Sequence, residues 1–333
     1  MNIGSLGSIG EGHHKRMKWS KIISRFRQFG GVWLLGAYGK MGMLPCVLSE
    51  AVKLILGRTS RDDAYAEIRG VVDGKLQAKY ADFIVERKKA YDDGMDNVRG
   101  KKDDGKRKVW TCWLQGFDKA PVMVQACQNS MRRYITDREI IQLTYDNYKD
   151  YVTLPEHIVQ KYERGQIPPA LFADLLRLEV LIQYGGTWMD ATMLCTDPEF
   201  LPKGSWLQEI MDCDLFMFQA LRKGDPRFYG ISNWFITARR GSLPLMVLRD
   251  VLTEYWQDYS VTLDYYMFHD FFFTIAQLYP EEIADMPRRN RLGSLWLLQG
   301  KGYEMTADGL RLEEEPWVQL LIERVCVHKL NYK

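Results

Sequence analysis

The segment 173–192 constrains the fold of this chain more than any other feature. Apolar residues recur at helical spacing at its start, namely Leu171, Leu175, Leu178 and Ile182. Gly185 and Gly186 then favour the end of that helix, because glycine accepts a positive φ without a steric penalty. A short apolar run follows and leads to Asp190. The sequence therefore predicts a helix, a tight turn and a strand whose tip carries a carboxylate.

Two charged residues of the predicted helix can pair. Asp174 and Arg177 are three positions apart, so their side chains share one face. Open α/β sheets bind ligands beyond the carboxyl ends of their strands. A carboxylate such as Asp190 at a strand tip, beside this ion pair, is well placed to hold a metal ion and the diphosphate that the metal neutralises.

Strand and helix patterns alternate from Val109 onward. Strands are predicted at 109–114, 139–144, 187–189, 215–219 and 231–238, and helices at 121–134, from about 169, and at 243–259. This alternation favours a mainly parallel sheet with helices on both faces. No Gly-x-Gly-x-x-Gly pattern follows the first strand, which argues against a dinucleotide-dependent oxidoreductase.

The first hundred residues are predicted to be helical and separate in character. Basic and apolar residues interleave between Lys15 and Phe29, the pattern of a basic amphipathic helix. Such a helix can lie on an anionic membrane surface, or it can pack against the rest of the chain with its basic face in water. The sequence leaves both alternatives open. A second helix is predicted at 75–91, and a charged, glycine-punctuated linker at 92–108.

Composition excludes several classes of protein. A formal net charge of +2 argues against a dedicated nucleic-acid binder. The six cysteines are scattered and form no Cys-x-x-Cys pair, so we expect them to be reduced and structural. No segment reaches the ~18–20 apolar residues of a spanning helix, and the start lacks a signal-peptide pattern. We expect a cytoplasmic protein, peripheral at the inner face of the plasma membrane if the basic helix binds lipid.

The segment "ADLLRLEVLIQYGGTWMDAT" follows an ordered pattern: Asp-x-x-Arg on a helix, then Tyr-Gly-Gly-x-Trp/Tyr-x-Asp-x-Asp/Thr. With "VWTCWLQGFDKAP" before it and "ISNWFITA", "YYMFHDFF" and "VHKLNYK" after it, the chain resembles the bacterial capsular polysaccharide synthesis glycosyltransferases. It is more distantly similar to the yeast initiating mannosyltransferases and to the glucosyltransferase domains of large clostridial toxins. The resemblance implies a GT-A-type nucleotide-sugar-binding α/β domain over 108–333, with a mainly parallel central sheet. A helical N-terminal extension and charged linker would occupy 1–107.

The resemblance also implies a metal site. Asp190 would hold a divalent cation, Mn²⁺ or Mg²⁺, and through it the donor diphosphate. Thr192 stands where related enzymes have a second carboxylate, and its hydroxyl is a weaker cation ligand. His328 would complete the metal shell, since neutral imidazole suits a divalent metal, and Lys329 would contact the diphosphate.

Donor-binding roles follow from the same resemblance. Asp174 would contact the nucleoside or the donor sugar, and Arg177 would brace the acidic loop. In the loop after the first strand, one of Trp110 and Trp113 at most can stack on the base, because an odd step places them on opposite faces. We expect Trp113 to stack on the base; the alternative is that its ring packs in the core. The predicted donor-binding residues are Trp113, Gln115, Asp174, Arg177, Gly186, Asp190, Trp234 and Lys329.

The remaining candidates concern catalysis and the acceptor. The Asn233 amide can bond a sugar hydroxyl or the leaving oxygen, and Trp234 can pack against a sugar ring. Asp270 can orient the acceptor hydroxyl, with His269 beside it; a hydrogen-bonded structural histidine is the alternative there. The predicted catalytic residues are Asp190, Arg177, Asn233 and Asp270.

The resemblance implies a glycosyltransferase that assembles capsular or extracellular polysaccharide. It would move a sugar from a nucleoside diphosphate sugar, with UDP favoured, to a hydroxyl of a saccharide acceptor that can be lipid-linked. The resemblance implies retention of anomeric configuration. The alternative is a catalytically weak sugar-nucleotide-binding component of a polysaccharide assembly complex, which the replacement of a carboxylate by Thr192 would suit.

Overall fold

The computed structural model describes residues 31–94, 107–196, 206–219, 231–306 and 309–331. The predicted basic helix between Lys15 and Phe29 lies outside the described residues, as does most of the predicted linker. The first residues assigned to the linker, Asp92 to Gly94, instead form the last turn of a helix. An ion pair between Lys88 and Asp92, one turn apart at 2.5 Å, stabilises that turn.

Three helices precede the first strand: α1 (Gly31–Lys40), α2 (Leu44–Ile55) and α3 (Arg61–Gly94). Helix α3 packs into the main core through Val72, Leu76, Tyr80 and Ile84. The Tyr80 hydroxyl donates to Asp258 at 2.7 Å, which ties the helix to a distant part of the chain. The helical character predicted for this region is confirmed for residues 31–94, while a domain boundary at 107/108 stays a prediction.

The strands are β1 (Lys108–Cys112), β2 (Glu139–Leu143), β3 (Gly186–Met189), β4 (Met193–Cys195), β5 (Leu215–Gln219), β6 (Ile231–Ala238), β7 (Tyr303–Thr306), β8 (Gly309–Leu312) and β9 (Val327–Lys329). The central sheet has the order β2-β1-β3-β6-β5. Strand β1 pairs in parallel with β2 and β3, and β6 is antiparallel to β3 and β5. Four strands of this sheet therefore share one direction. The predicted α/β class with a mainly parallel central sheet is confirmed.

The later helices are α4 (Val122–Tyr134), α5 (Glu156–Glu163), α6 (Pro169–Tyr184), α7 (Trp206–Asp212), α8 (Leu243–Asp258), α9 (Met267–Leu278), α10 (Pro280–Ala284), α11 (Arg291–Gly300) and α12 (Pro316–Ile322). Short 3₁₀ turns lie at Phe117–Lys119 and Tyr148–Asp150. Within the described ranges, no helix is long and apolar enough to cross a membrane. The predicted elements 121–134, 215–219, 231–238 and 243–259 correspond to α4, β5, β6 and α8.

The turn between α6 and β3 requires glycine. Gly185 has a φ of 72°, and a Cβ there would lie 2.9 Å from the main-chain nitrogen of Arg240. The Gly185 carbonyl accepts a 2.9 Å hydrogen bond from the indole of Trp110 in β1. The glycine pair therefore lets the largely buried helix α6 pass directly into the centre of the sheet.

The strand order reverses at β1. Strand β2 lies on one side of β1, and β3, the next sheet strand in sequence, lies on the other. Such a reversal opens a crevice at the carboxyl ends of the two parallel strands β1 and β3. The separate pair β4-β9 brings Lys329 to this crevice, with Met193 opposite it in the ladder. These three-residue strands were not predicted, because so short a run shows no period.

Candidate functional site

A cavity of about 700 Å³ opens at the carboxyl ends of β1 and β3. Its walls come from the loop after β1, the start of α6, the segment after β3, helix α11 and the last described residues. The sequence-predicted residues that line it are Trp113, Gln115, Arg177, Asp190, Thr192, Trp234 and Lys329. The topology thus gathers most of the predicted donor site in one place.

Asp190 is held from several directions. Its main-chain nitrogen donates to the Trp234 carbonyl at 2.9 Å. Its Oδ1 accepts from the Trp188 indole at 3.0 Å and from Arg177 Nη2 at 3.2 Å, while Lys329 Nζ lies 3.2 Å from Oδ2. Burial by itself would raise the pKa of this carboxyl, but Lys329 and Arg177 hold the pKa below its usual range. Asp190 is therefore an ionised carboxylate on the wall of the cavity.

Arg177 braces this carboxylate from helix α6. Its side chain is only 5% exposed and forms an ion pair with Asp174 at 2.9 Å. Its Nη1 also donates to the main-chain carbonyl of Asn233 at 2.8 Å, and its guanidinium lies 5.0 Å from the ring centroid of Trp188. A planar guanidinium can satisfy several acceptors at fixed angles, which suits this bracing role.

Asp174 and Asn233 lie behind the cavity wall rather than on it. Asp174 is buried, and its Oδ1 accepts from Asn233 Nδ2 at 3.0 Å as well as from Arg177. Burial raises the pKa of Asp174 to about 6, against the opposing effect of Arg177. The structure therefore gives both residues a contact with Arg177 that positions it, and brings neither side chain to the cavity.

The aromatic residues separate as the odd step predicts. Trp110 is fully buried, whereas Trp113 lines the cavity just beyond the end of β1. Trp234 also lines the cavity, where its ring stacks on Phe218 with centroids 4.9 Å apart. Both rings therefore contribute aromatic surface to the wall of the cavity.

Lys329 reaches the cavity because β9 pairs with β4. The Leu330 nitrogen donates to the Thr192 carbonyl at 3.0 Å, and Lys329 Nζ donates to the Thr192 hydroxyl at 2.5 Å. Successive side chains of a strand point to opposite faces. His328 consequently faces away and contacts the Thr196 hydroxyl at 3.2 Å.

The structure does not bring His328 to Asp190, contrary to the expectation of a shared metal shell. The imidazole is fully buried in the interior, where burial lowers its pKa to about 4. The alternation of β9 is the reason, since Lys329 takes the cavity side. Gly186 does not line the cavity either. Its φ of 98° and its pairing with Ala238 give it a place in the turn and the sheet.

Asp270, the candidate for orienting the acceptor hydroxyl, does not line this cavity. It belongs to a cluster with Asp73 and Asp264, whose carboxylate oxygens could together hold a cation. Arg69 lies 2.7 Å from Asp264 and 3.7 Å from Asp270. Helix α9 turns Asp270 toward α3 rather than the cavity. Burial raises the pKa of Asp270 to about 6 and that of Asp73 to about 8.

Several residues that line the cavity were not predicted, among them Trp188, Tyr265 and Asn331. Trp188 contacts Asp190, and a signal for it was present because residues two apart on a strand share a face. Tyr265 and Asn331 also line the cavity. Both lie in segments that carry the family resemblance, "YYMFHDFF" and "VHKLNYK", but no spacing or charge pattern assigns either residue to the cavity.

A profile of the family described as "Capsular polysaccharide synthesis protein" matches residues 55–333. The chain belongs to this family. The match begins well before the expected start at 108, and it includes all of α3, whose side chains belong to the main core. No curated protein matches the chain.

A solved structure named "PaToxG Glycosyltransferase" is weakly similar to this family member. The identity is 12% and the TM-score 0.37, over 54% of this chain and 73% of the other. Membership of the capsular polysaccharide synthesis family supports a glycosyltransferase role for the chain.

Proposed function

We propose that this protein transfers a sugar from a nucleoside diphosphate sugar to a saccharide hydroxyl in capsular or extracellular polysaccharide assembly. UDP is the favoured nucleotide, and the donor lies in the cavity at the ends of β1 and β3. The observation that carries the proposal is the group formed there by Asp190, Arg177 and Lys329, with contacts of 3.2 Å from each cation to the carboxylate. Two cations on the wall of an open cavity suit a diphosphate leaving group.

The donor would be oriented by residues on opposite walls. The Trp113 ring and the Gln115 side chain, in the loop after β1, are placed to receive the base. Trp234, which lines the cavity and stacks on Phe218, would pack against a sugar ring. Asp190, an ionised carboxylate held in place by Trp188, would fix Lys329 and Arg177 for contact with the diphosphate. Holding donor and acceptor at fixed geometry then supplies much of the rate enhancement.

The divalent cation implied by the resemblance fits this cavity poorly. Mn²⁺ and Mg²⁺ prefer several oxygen ligands. Here both oxygens of Asp190 already accept from nitrogen donors, and the hydroxyl of Thr192 accepts from Lys329. No step of the proposed transfer is therefore assigned to a metal. Retention of configuration belongs to the proposal as an expectation from the family.

The proposal is tested by incubating the pure protein with a panel of UDP- and GDP-linked sugars and measuring release of free nucleoside diphosphate. We expect release with one donor, and its loss in Asp190→Asn. The alternative of a weak sugar-nucleotide-binding component predicts binding of a donor by calorimetry without release. Absence of both binding and release across the panel would contradict the proposed function.

A surface on the N-terminal helices supports a second part of the proposal, peripheral contact with a membrane at the inner face of the plasma membrane. The exposed apolar side chains of α1, α2 and the residue after them are Val32, Trp33, Leu35, Leu44, Leu48, Val52, Leu54, Ile55 and Leu56. The buried residue of α2 is Glu50, so its apolar side chains face outward. Contiguous exposed apolar patches mark interaction surfaces.

The positive charge of the neighbouring sequence favours an anionic lipid surface as the partner of these exposed apolar side chains. Residues 12–49 contain seven lysines and arginines and no acidic residue. A second copy of the chain would bring like charges together, whereas an anionic bilayer would attract them. We expect the protein to co-sediment with vesicles containing phosphatidylglycerol and less with pure phosphatidylcholine.

Leu48→Glu combined with Ile55→Glu should abolish this co-sedimentation, because both side chains belong to the outward apolar surface and are 64% and 82% exposed. Leu320→Glu, at a 50% exposed position of α12, is the matched control and should leave it unchanged. Equal sedimentation of all three proteins would contradict the membrane contact.

A further inference from the structure

The Asp-x-Thr segment after β3 already contacts a cation that belongs to the chain itself. Lys329 Nζ lies 3.2 Å from Asp190 Oδ2 and 2.5 Å from the Thr192 hydroxyl. These are the first and third residues of the segment, between which a bound metal would be expected to lie. The ammonium therefore occupies the position expected of the metal.

The backbone fixes this arrangement. Met193 pairs with Lys329 in the β4-β9 ladder, and the next residue, Leu330, donates to the Thr192 carbonyl at 3.0 Å. Leu330 is itself 1% exposed and anchors the strand in a small apolar cluster. The position of Lys329 beside this segment is therefore set by the main-chain register of β9 against β4, and not by the side-chain conformation alone.

The ligands that a divalent cation would need are not gathered at Asp190. Its other oxygen, Oδ1, accepts from Trp188 and Arg177 at 3.0 and 3.2 Å. His328 faces Thr196 on the opposite side of β9. In the part of the chain that the structure describes, the group of three acidic side chains close enough to share a cation contains Asp73, Asp264 and Asp270, none of which lines the cavity.

We propose that the protein binds and cleaves its nucleotide-sugar donor without a divalent metal, with Lys329 and Arg177 supplying the positive charge at the diphosphate. This inference rests on the proposed function, because it assigns the counter-charge of the same donor site. An ammonium has three donor hydrogens. Two are directed at Asp190 and Thr192, which leaves one for a phosphate oxygen.

The transfer step balances with these groups alone. The bond between the anomeric carbon and the diphosphate oxygen breaks, and its electron pair stays on the diphosphate. The acceptor oxygen forms the new bond to the anomeric carbon, and its proton passes to the leaving diphosphate. Lys329 and Arg177 stabilise the developing negative charge and keep their own protons.

The decisive experiment measures metal binding and ligand binding separately on the full chain. Mn²⁺ binding is followed by electron paramagnetic resonance, and UDP, GDP and pyrophosphate binding by calorimetry in EDTA or in excess Mn²⁺. We expect wild type to bind at least one of these diphosphates with the same affinity in both solutions. We also expect Mn²⁺ binding to be the same for wild type and Asp190→Asn, because Asp190 holds no metal. Lys329→Met should lose diphosphate affinity by about 10-fold or more, as expected for a lost charge-assisted bond.

Engineered variants give the converse result. Lys329→Ala combined with Thr192→Asp frees the Asp190 oxygen and adds a second carboxylate, so it should gain an Mn²⁺ site and an Mn²⁺-dependent affinity for the diphosphate. Lys329→Arg, which keeps the charge, should retain most of the wild-type affinity and covers the case in which Lys329→Met fails to fold. Lys119→Met, at an exposed lysine, is the control and should behave as wild type.

Two outcomes would overturn the inference, and they differ in what else they affect. Diphosphate binding by wild type that is lost in EDTA, or an Asp190-dependent Mn²⁺ site in wild type, overturns the metal-free donor site and leaves the proposed function standing. No binding of UDP, GDP or pyrophosphate with or without Mn²⁺ overturns the proposed function and this inference together.

Discussion

Arg177 Nη1 donates to the main-chain carbonyl of Asn233 at 2.8 Å and so joins helix α6 to strand β6. The same guanidinium forms ion pairs with Asp174 and Asp190. One side chain thereby fixes the position of the acidic loop relative to the two elements that flank it. The Asp-x-x-Arg spacing that looks like a surface ion pair in the sequence is, in the folded protein, a buried support for the cavity wall.

Replacement of Arg177 by methionine tests this support. The variant keeps much of the packing volume and leaves Asp174 buried without its cation, so we expect the free energy of unfolding to fall by about 3–5 kcal/mol. Donor binding should also be lost. Arg249→Met is the matched control, since Arg249 forms a comparable pair with Glu179 at 2.8 Å away from the cavity. The control should lose stability in urea denaturation and keep donor affinity at temperatures where it is folded.

Asp190→Asn should abolish transfer while the protein stays folded. The amide removes the charge that fixes Lys329 and Arg177, and we expect the rate to fall by about 100-fold or more. Asp118→Asn, at an exposed site near the same loop, should retain wild-type release of nucleoside diphosphate. An Asp190→Asn protein with full activity and a normal Tm would show that this carboxylate has no part in transfer.

Gly185→Ala should destabilise the protein by about 2 kcal/mol or more, because a side chain at this positive φ is strained and its Cβ would meet the main chain of Arg240. Gly74→Ala provides the opposite case. It lies in helix α3, where an added methyl group would meet no atom within 4 Å, so it should stabilise by up to about 1 kcal/mol. Chemical denaturation of the two variants should give shifts of opposite sign, and equal shifts would contradict the role of the turn.

The raised pKa of Asp73 predicts that the stability of the protein depends on pH. Its pKa is raised to about 8, first by burial and then by its hydrogen bond with Asp264, whereas an aspartate in an unfolded chain titrates near 3.9. The folded state holds a proton that the unfolded state releases across this interval. Stability contributed by the protonated group is therefore lost as the pH rises toward 8.

Asp73→Asn mimics the protonated form and should flatten this dependence. Arg69, Asp264 and Asp270 remain around it. We expect the stability of Asp73→Asn relative to wild type to increase from pH 5 to pH 8, by about 1 kcal/mol or more in the free energy of unfolding. Asp82→Asn, exposed on the same helix, should follow the wild-type curve in thermal unfolding from pH 5 to 8. Parallel curves for Asp73→Asn and wild type would mean that Asp73 is ionised in the folded protein.

The sequence by itself determined the α/β class, the main strands and helices, and the segment that supplies Asp190, Arg177 and the glycine turn. These features are local: periodicity sets α6, the positive φ of Gly185 sets the turn, and an odd step on β1 separates Trp110 from Trp113. Tertiary structure alone decided which side of β9 faces the cavity. The three residues of that strand carry no period, and their pairing with β4 sends Lys329 to Asp190 and His328 into the interior. The position of Asp270 was likewise decided by tertiary structure, since the packing of α9 on α3 turns it toward Arg69. No local sequence pattern encodes a contact between residues so distant in the chain.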